Sequence, residues 1–168
     1  LAQVDRAAFL IDGEDYYRAV AEAFEQAQKA IYILGWDVDS RVRLQRDTEQ
    51  QESFGDLLNR LAREKPRLQI YVLEWDFAVF YSLEREFWSQ LSFGWMTHER
   101  VHFEMDNTHP AGASHHQKIV VVDDRLAFAG GFDLASFRWD SSEHLPQDDK
   151  RCDNDQTYGP VHDVQMLV

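Results

Sequence analysis

Ser114-His115-His116-Gln117-Lys118-Ile119-Val120-Val121-Val122-Asp123-Asp124-Arg125-Leu126-Ala127-Phe128-Ala129-Gly130-Gly131-Phe132-Asp133 is the stretch from which the fold can be read. Lys118 to Val122 and Leu126 to Ala129 are short apolar runs on either side of Asp123-Asp124-Arg125, a pattern that predicts a tight β pair. Side chains alternate along an extended chain, which puts His116 and Lys118 on one face, about 7 Å apart by the rise per residue. An imidazole nitrogen can attack phosphorus to form a covalent intermediate. An ammonium beside it can neutralise the charge that builds on the non-bridging oxygens. The two together are the parts of phosphodiester cleavage without a metal.

Outward from this pair, the chain alternates strand-like and helix-like segments. Ala8-Phe9-Leu10-Ile11 is a short apolar run closed by Asp12-Gly13, and Tyr17, Val20, Ala21, Phe24 and Ala27 then share one helical face. Ala30 to Trp36 has the length and β-branched content of a buried strand, expected to lie beside the first. Residues 45 to 52 are polar and read as a loop, after which Phe54, Leu57, Leu58 and Leu61 restore the helical period up to Lys65-Pro66. Leu68 to Leu73 and Val101 to Met105 predict two more strands, with a helix between Phe80 and Phe93. Val164 to Val168 alternates as a strand, and residues 140 to 159 form a polar, proline-bearing surface excursion. The expected fold is α/β: a mixed, largely parallel sheet flanked by helices on both faces, in a single domain over 1–168.

The chain has 168 residues, 44% of them hydrophobic, which is enough for one globular core. Its formal net charge of −13 opposes bulk binding to nucleic acid or anionic lipid, although a locally positive pocket survives in an acidic surface. The single cysteine, Cys152, excludes an internal disulfide and a cysteine-rich zinc site. Among His102, His109, His115, His116 and His144 no two stand at a His-x-x-x-His or related ligand spacing to each other, so no metal site is expected. No apolar run approaches the ~20 residues that cross a bilayer, and a soluble piece of a longer polypeptide is expected.

His116-x-Lys118, four residues and Asp123, then six residues and Gly130-Gly131, resembles the HKD signature of the phospholipase D superfamily. Gly130-Gly131-Phe132-Asp133-Leu134 and Arg138-Trp139-Asp140 are similar to the surroundings of the amino-terminal motif of two-motif phospholipases D, and Ile31-Tyr32-Ile33-Leu34-Gly35-Trp36-Asp37 to the strand that precedes it. On their own, His116 and Lys118 would read as a structural histidine and a solvated strand lysine; the joint spacing reverses that choice.

The resemblance implies a phosphodiesterase that hydrolyses or transphosphatidylates phospholipid headgroups through a phosphohistidine. His116 would be the nucleophile, Lys118 the phosphate-binding cation, and Asp163 the acid that orients the imidazole. Asp123 falls at the turn, where it would shape the motif. Gly130 and Gly131 would let the backbone approach the phosphate or take positive φ, and Ser114 and Asp133 would contribute to substrate binding. His115 faces the other way and is expected to be structural. No cofactor and no metal is implied. The leaving oxygen needs a proton donor, which the family takes from a second HKD half; this chain has no second His-x-Lys, so the partner is another half of the same parent chain or a homodimer mate. Membrane association of the parent stays open. Two other readings remain: a single-motif homodimeric endonuclease, which the charge opposes, and a catalytically silent scaffold, which the intact motif opposes.

Overall fold

The computed structural model describes residues 3–46, 52–75, 98–106, 108, 110 and 113–168. In chain order the elements are β1 (Ala8–Ile11), α1 (Asp12–Gln26), β2 (Ala30–Gly35), α2 (Phe54–Glu64), β3 (Gln69–Trp75), β4 (Val101–Asp106), β5 (Ile119–Val122), β6 (Leu126–Gly130), β7 (Cys152–Asp153), β8 (Gln156–Thr157) and β9 (Val164–Leu167). Seven strands form one sheet in the order β1-β9-β6-β5-β2-β3-β4, and β7 and β8 form a small ribbon.

Local chemistry explains the two helices. Asp12, Glu14 and Asp15 place negative charge in the first turn of α1, where the helix dipole favours it, and Tyr16, Tyr17, Val20 and Phe24 make its buried face. At its other end the Lys65 ammonium donates to the carbonyls of Glu25 at 2.5 Å and Ala27 at 3.0 Å. The Ser53 hydroxyl caps α2 by accepting the Asp56 N–H at 3.2 Å, and Phe54, Leu57, Leu58 and Leu61 are buried. Phe24 stacks on Phe54 at 6.2 Å, which locks the helices to each other over Ile31, Ile33, Ile70, Val72, Val120, Val122 and Phe128.

The sheet is mixed, as the alternation of elements predicts, with a smaller parallel share than expected. β2, β3 and β4 run parallel, while the pairings β2·β5, β5·β6, β6·β9 and β9·β1 are antiparallel. β1 does not lie beside β2. The seven-residue β3 and the more buried β5 occupy both edges of β2, and β1, mostly exposed, pairs with β9 at the rim (Ala8↔Leu167, Ile11↔Val164).

The two helices among the described residues, α1 and α2, lie on the same face. β1 and β2 point the same way, as do β2 and β3, and both connections step in one direction along the sheet. Right-handed crossovers then fall on a single side. On the opposite face Tyr32 stacks on Tyr71 at 5.1 Å, and Tyr71 on His102 at 4.8 Å. The helix expected between Phe80 and Phe93 lies outside the described residues.

Residues 140 to 159 are more firmly held than a surface excursion. Arg151, 1% exposed, pairs with the fully buried Asp140 at 2.7 Å, and Arg46 pairs with Asp153 at 2.7 Å. No helix among the described residues is long and apolar enough to cross a membrane.

Candidate active site

One end of the sheet collects the chemistry. The C-terminal ends of β1, β2, β3 and β6 open there, and so do the N-terminal ends of the antiparallel β5 and β9. His116 and Lys118 lead into β5 at this end, Trp36 follows β2, Gly131 and Asp133 follow β6, and Asp163 precedes β9.

His116 is exposed, and its ring meets Trp36 edge-on at 5.5 Å. The Lys118 ammonium is 3.4 Å from His116 Nε2 and 5.8 Å from the Trp36 ring centroid. An ammonium can only donate, so at this contact Nε2 accepts and the ring proton belongs on Nδ1. Nε2 is then the nitrogen that carries the ring's lone pair, on the Lys118 side. Lys118 is only 8% exposed and forms an ion pair of 2.9 Å with Asp133 Oδ2. The other Asp133 oxygen accepts the Trp36 N–H at 2.9 Å and the Asp37 N–H at 3.3 Å. Asp133 is 2% exposed with both oxygens engaged by the protein. Here Asp133 holds the lysine and the turn after β2.

Below this pair, Glu74 lies beside Gly35 on the neighbouring strand. Burial, with the charges of Asp37, Asp133 and Asp39 behind it, pushes the Glu74 carboxyl up to about 8. A neutral acid here leaves Asp133 as the counterion of Lys118. Sequence reading missed Glu74, and its signal is weak: one acid near the end of an otherwise apolar strand. Trp75, which stacks on Trp36 at 5.7 Å, continues the aromatic wall behind His116.

The expected site residues do not all converge. Asp123 sits at the far end of β5, with φ 55, and accepts the N–H groups of Gln28, Lys29 and Ala30 at 2.7–2.9 Å. Burial acts to raise its carboxyl, but those three backbone donors outweigh it and hold the group below the usual carboxylate range. Asp123 cannot reach a phosphate at His116, since seven residues of extended chain span roughly 23 Å. Its work is to fasten the β5–β6 turn to the start of β2.

Gly130 and Gly131 are packed closely against β9 and the residue before it. A Cβ on Gly130 would stand 2.4 Å from the Val164 carbonyl, and one on Gly131 would stand 2.1 Å from Asp163 Oδ1. The Asp163 carboxylate therefore lies directly over the Gly131 backbone, where Oδ1 also accepts the Val164 N–H at 2.8 Å. Among the described residues no hydrogen bond joins Asp163 to His116. Ser114 is exposed two residues before His116. His115 faces away and pairs with Asp106 at 2.5 Å.

With this geometry in place, comparison with known proteins identifies the lineage. The family model described as Phospholipase D matches residues 23–163, and the chain belongs to that family. It is 31% identical to Phospholipase D B of Dictyostelium discoideum over 145 residues, covering 84% of this chain and 12% of that protein. It is 29% identical to Phospholipase D1 of Saccharomyces cerevisiae over 162 residues, covering 89% of this chain and 9% of that protein. The chain thus spans a small fraction of the length of these relatives. Among solved structures the fold is similar to Nuc from Salmonella typhimurium, a phospholipase D family member (TM-score 0.57, 10% identity, 96% of this chain and 82% of that one). It is also similar to phosphatidylserine synthase from Haemophilus influenzae (TM-score 0.62, 16% identity, 98% of this chain and 34% of that one).

Proposed function

We propose that the chain is the first catalytic half of a two-motif phospholipase D that hydrolyses or transphosphatidylates phospholipid headgroups. The observation that carries this reading is the approach of Lys118 Nζ to His116 Nε2, in a contact set by the buried Asp133. In the first step the Nε2 lone pair attacks phosphorus, a P–N bond forms, and the P–O bond to the headgroup alcohol breaks. The departing oxygen takes a proton from the histidine of the second half, since this chain holds one His-x-Lys pattern. In the second step water or another alcohol attacks phosphorus, the P–N bond breaks, and that same histidine takes back the proton. Lys118 stabilises the charge on the non-bridging oxygens in both steps. Asp163 turns toward His116 Nδ1–H as the ring becomes positive, and Ser114 lines the open side.

The test is chemical trapping. The two-motif parent is mixed with phosphatidylcholine labelled in the phosphatidyl group and quenched during turnover. An acid-labile protein adduct is expected, and it should be absent in His116→Ala. An adduct that persists in His116→Ala overturns the nucleophile assignment.

A second reading rests on one observation: the chain covers 82% of Nuc, so a single motif suffices for that fold. A homodimer would then supply the second histidine. The −13 charge favours the lipid enzyme, because a nuclease site draws its affinity from Lys and Arg along the backbone path. Cleavage of DNA but not phosphatidylcholine would reverse the choice.

A further inference from the structure

We propose that Asp12, His144 and His162 form a binding site for one zinc-class divalent ion, separate from the phosphate-handling pair. Three segments far apart in the chain meet here, and 150 positions separate Asp12 from His162. Asp12 Oδ1 is 2.6 Å from His162 Nδ1, Asp12 Oδ2 is 3.2 Å from His144 Nε2, and one ligand atom from each residue falls within 4.8 Å of the others. Ligand atoms on a tetrahedral zinc with bonds of about 2.0–2.1 Å stand about 3.4 Å apart. The difference is within reach of the His162 side chain, which is 64% exposed.

Four features fit a metal better than a chance polar contact. Asp12 is 1% exposed, yet its Oδ2 lacks an aligned hydrogen bond, an uncommon state for a buried carboxylate oxygen. Asp12 has φ 65, a left-handed conformation that disfavours non-glycine residues, and strain of this kind collects at binding sites. His144 is backed on its other nitrogen: Nδ1 lies 3.0 Å from Asp140 Oδ2, and Asp140 is itself fixed by Arg151 at 2.7 Å and the Val161 N–H at 2.9 Å. A carboxylate holding the far nitrogen of a ligand histidine is the usual outer layer of a zinc site. The side at His162 is open to solvent, which leaves a fourth position for water. Two imidazoles and one carboxylate suit zinc, whereas calcium and magnesium take oxygen ligands.

The site would bear on geometry and not on phosphoryl transfer. The Asp12 N–H donates to the Asp163 carbonyl at 3.0 Å, and Asp163 is the residue over Gly131. An ion bridging Asp12 and His162 would fasten the start of α1 to the segment that carries Asp163 into the active end of the sheet. Without an ion, the same residues would meet only through the direct imidazole–carboxylate contacts.

Zinc titration of the chelator-treated full chain by calorimetry separates the two. One zinc per chain is expected, with an accompanying rise in melting temperature, and cobalt(II) should give the visible bands of a four-coordinate ion. His162→Ala, at an exposed position that does not threaten folding, should weaken zinc by on the order of 100-fold, and His144→Ala likewise, taking the upper end of effects seen around such sites. His116→Ala should bind zinc as the native chain does. Absence of stoichiometric zinc binding, or binding undiminished in both His162→Ala and His144→Ala, overturns the proposal in favour of the direct contacts. These readouts do not use lipid turnover, so they stand apart from the test of the nucleophile.

Discussion

The Lys118 ammonium and the Asp133 carboxylate form an ion pair 2.9 Å long whose members are 8% and 2% exposed. Such a pair is worth little relative to apolar residues of the same shape, but removing one member strands the other charge, at about 3–5 kcal/mol. Asp133→Ala should therefore lose roughly that much stability in urea denaturation. The double variant Lys118→Met with Asp133→Leu should recover the part of the loss due to the stranded charge, but neither the part due to the Trp36 and Asp37 N–H groups that Asp133 accepts nor the activity. A single variant as stable as the native chain would mean that water or another group already satisfies Lys118.

Lys118→Ala is expected to lower turnover by on the order of 10²-fold or more through lost charge stabilisation. The burial of the pair adds a folding penalty that a solvated lysine would not carry. Activity must therefore be compared per folded molecule, with circular dichroism as the check. Native turnover per folded molecule would remove Lys118 from the chemistry.

Glu74 makes stability depend on pH. Its carboxyl is raised to about 8 in the folded chain from an ordinary value near 4.5, so the native state holds a proton that the unfolded state releases between those values. Stability from this group is complete below about pH 4.5 and falls as pH rises toward 8. Glu74→Gln, which keeps the shape and removes the charge, should flatten this part of the profile. It should raise stability at pH 8 by on the order of 1–3 kcal/mol, less than the full shift implies because a charged carboxylate draws in water. Chemical denaturation at pH 5 and pH 8 measures it, and an unchanged difference between the two would show that Glu74 is ionised throughout.

Gly131→Ala tests the position of Asp163. The added methyl would stand 2.1 Å from Asp163 Oδ1, so the carboxylate must leave its place. A fall in kcat of at least about tenfold is expected with the fold retained, since an acid that orients a catalytic imidazole contributes at least that much. Full activity would detach Asp163 from the mechanism.

Asp123→Ala separates shape from chemistry. It removes the acceptor of three backbone N–H groups and should cost about 1–3 kcal/mol of stability. Turnover per folded molecule should be unchanged. The contribution is present above an unfolded value near 3.8 and is lost as pH falls through the depressed folded value, so the gap between variant and native chain should narrow in acid. Loss of kcat in the folded fraction would restore Asp123 to the site.

The motif was legible because its members are close in sequence: His116 and Lys118 share a face by alternation alone, and the apolar runs around Asp123 announce the β pair. Periodicity says which side of a strand is buried but not which strand lies beside it. The partner of β1 and the common face of α1 and α2 follow from how strands compete for β2. Gly130 and Gly131 were recognisable as special, yet the atoms that crowd them belong to β9 and to Asp163 just before it, more than thirty positions away. The burial of Asp133 against Lys118 was not legible, because it exists only after the ends of β2, β5 and β6 have met.

The pairing of β1 with β9 has a kinetic meaning. These strands stand at opposite ends of the described sequence, so their ladder closes the largest loop in the sheet, and long loops close late because the entropy of joining their ends is met before any contact rewards it. The turn at Asp123 and the β2–β3 pairing can form early from nearby parts. Asp163, at the head of β9, comes into place only when that last ladder zips, and so a nascent or nicked chain can hold His116 beside Lys118 before it holds the acid proposed to serve them.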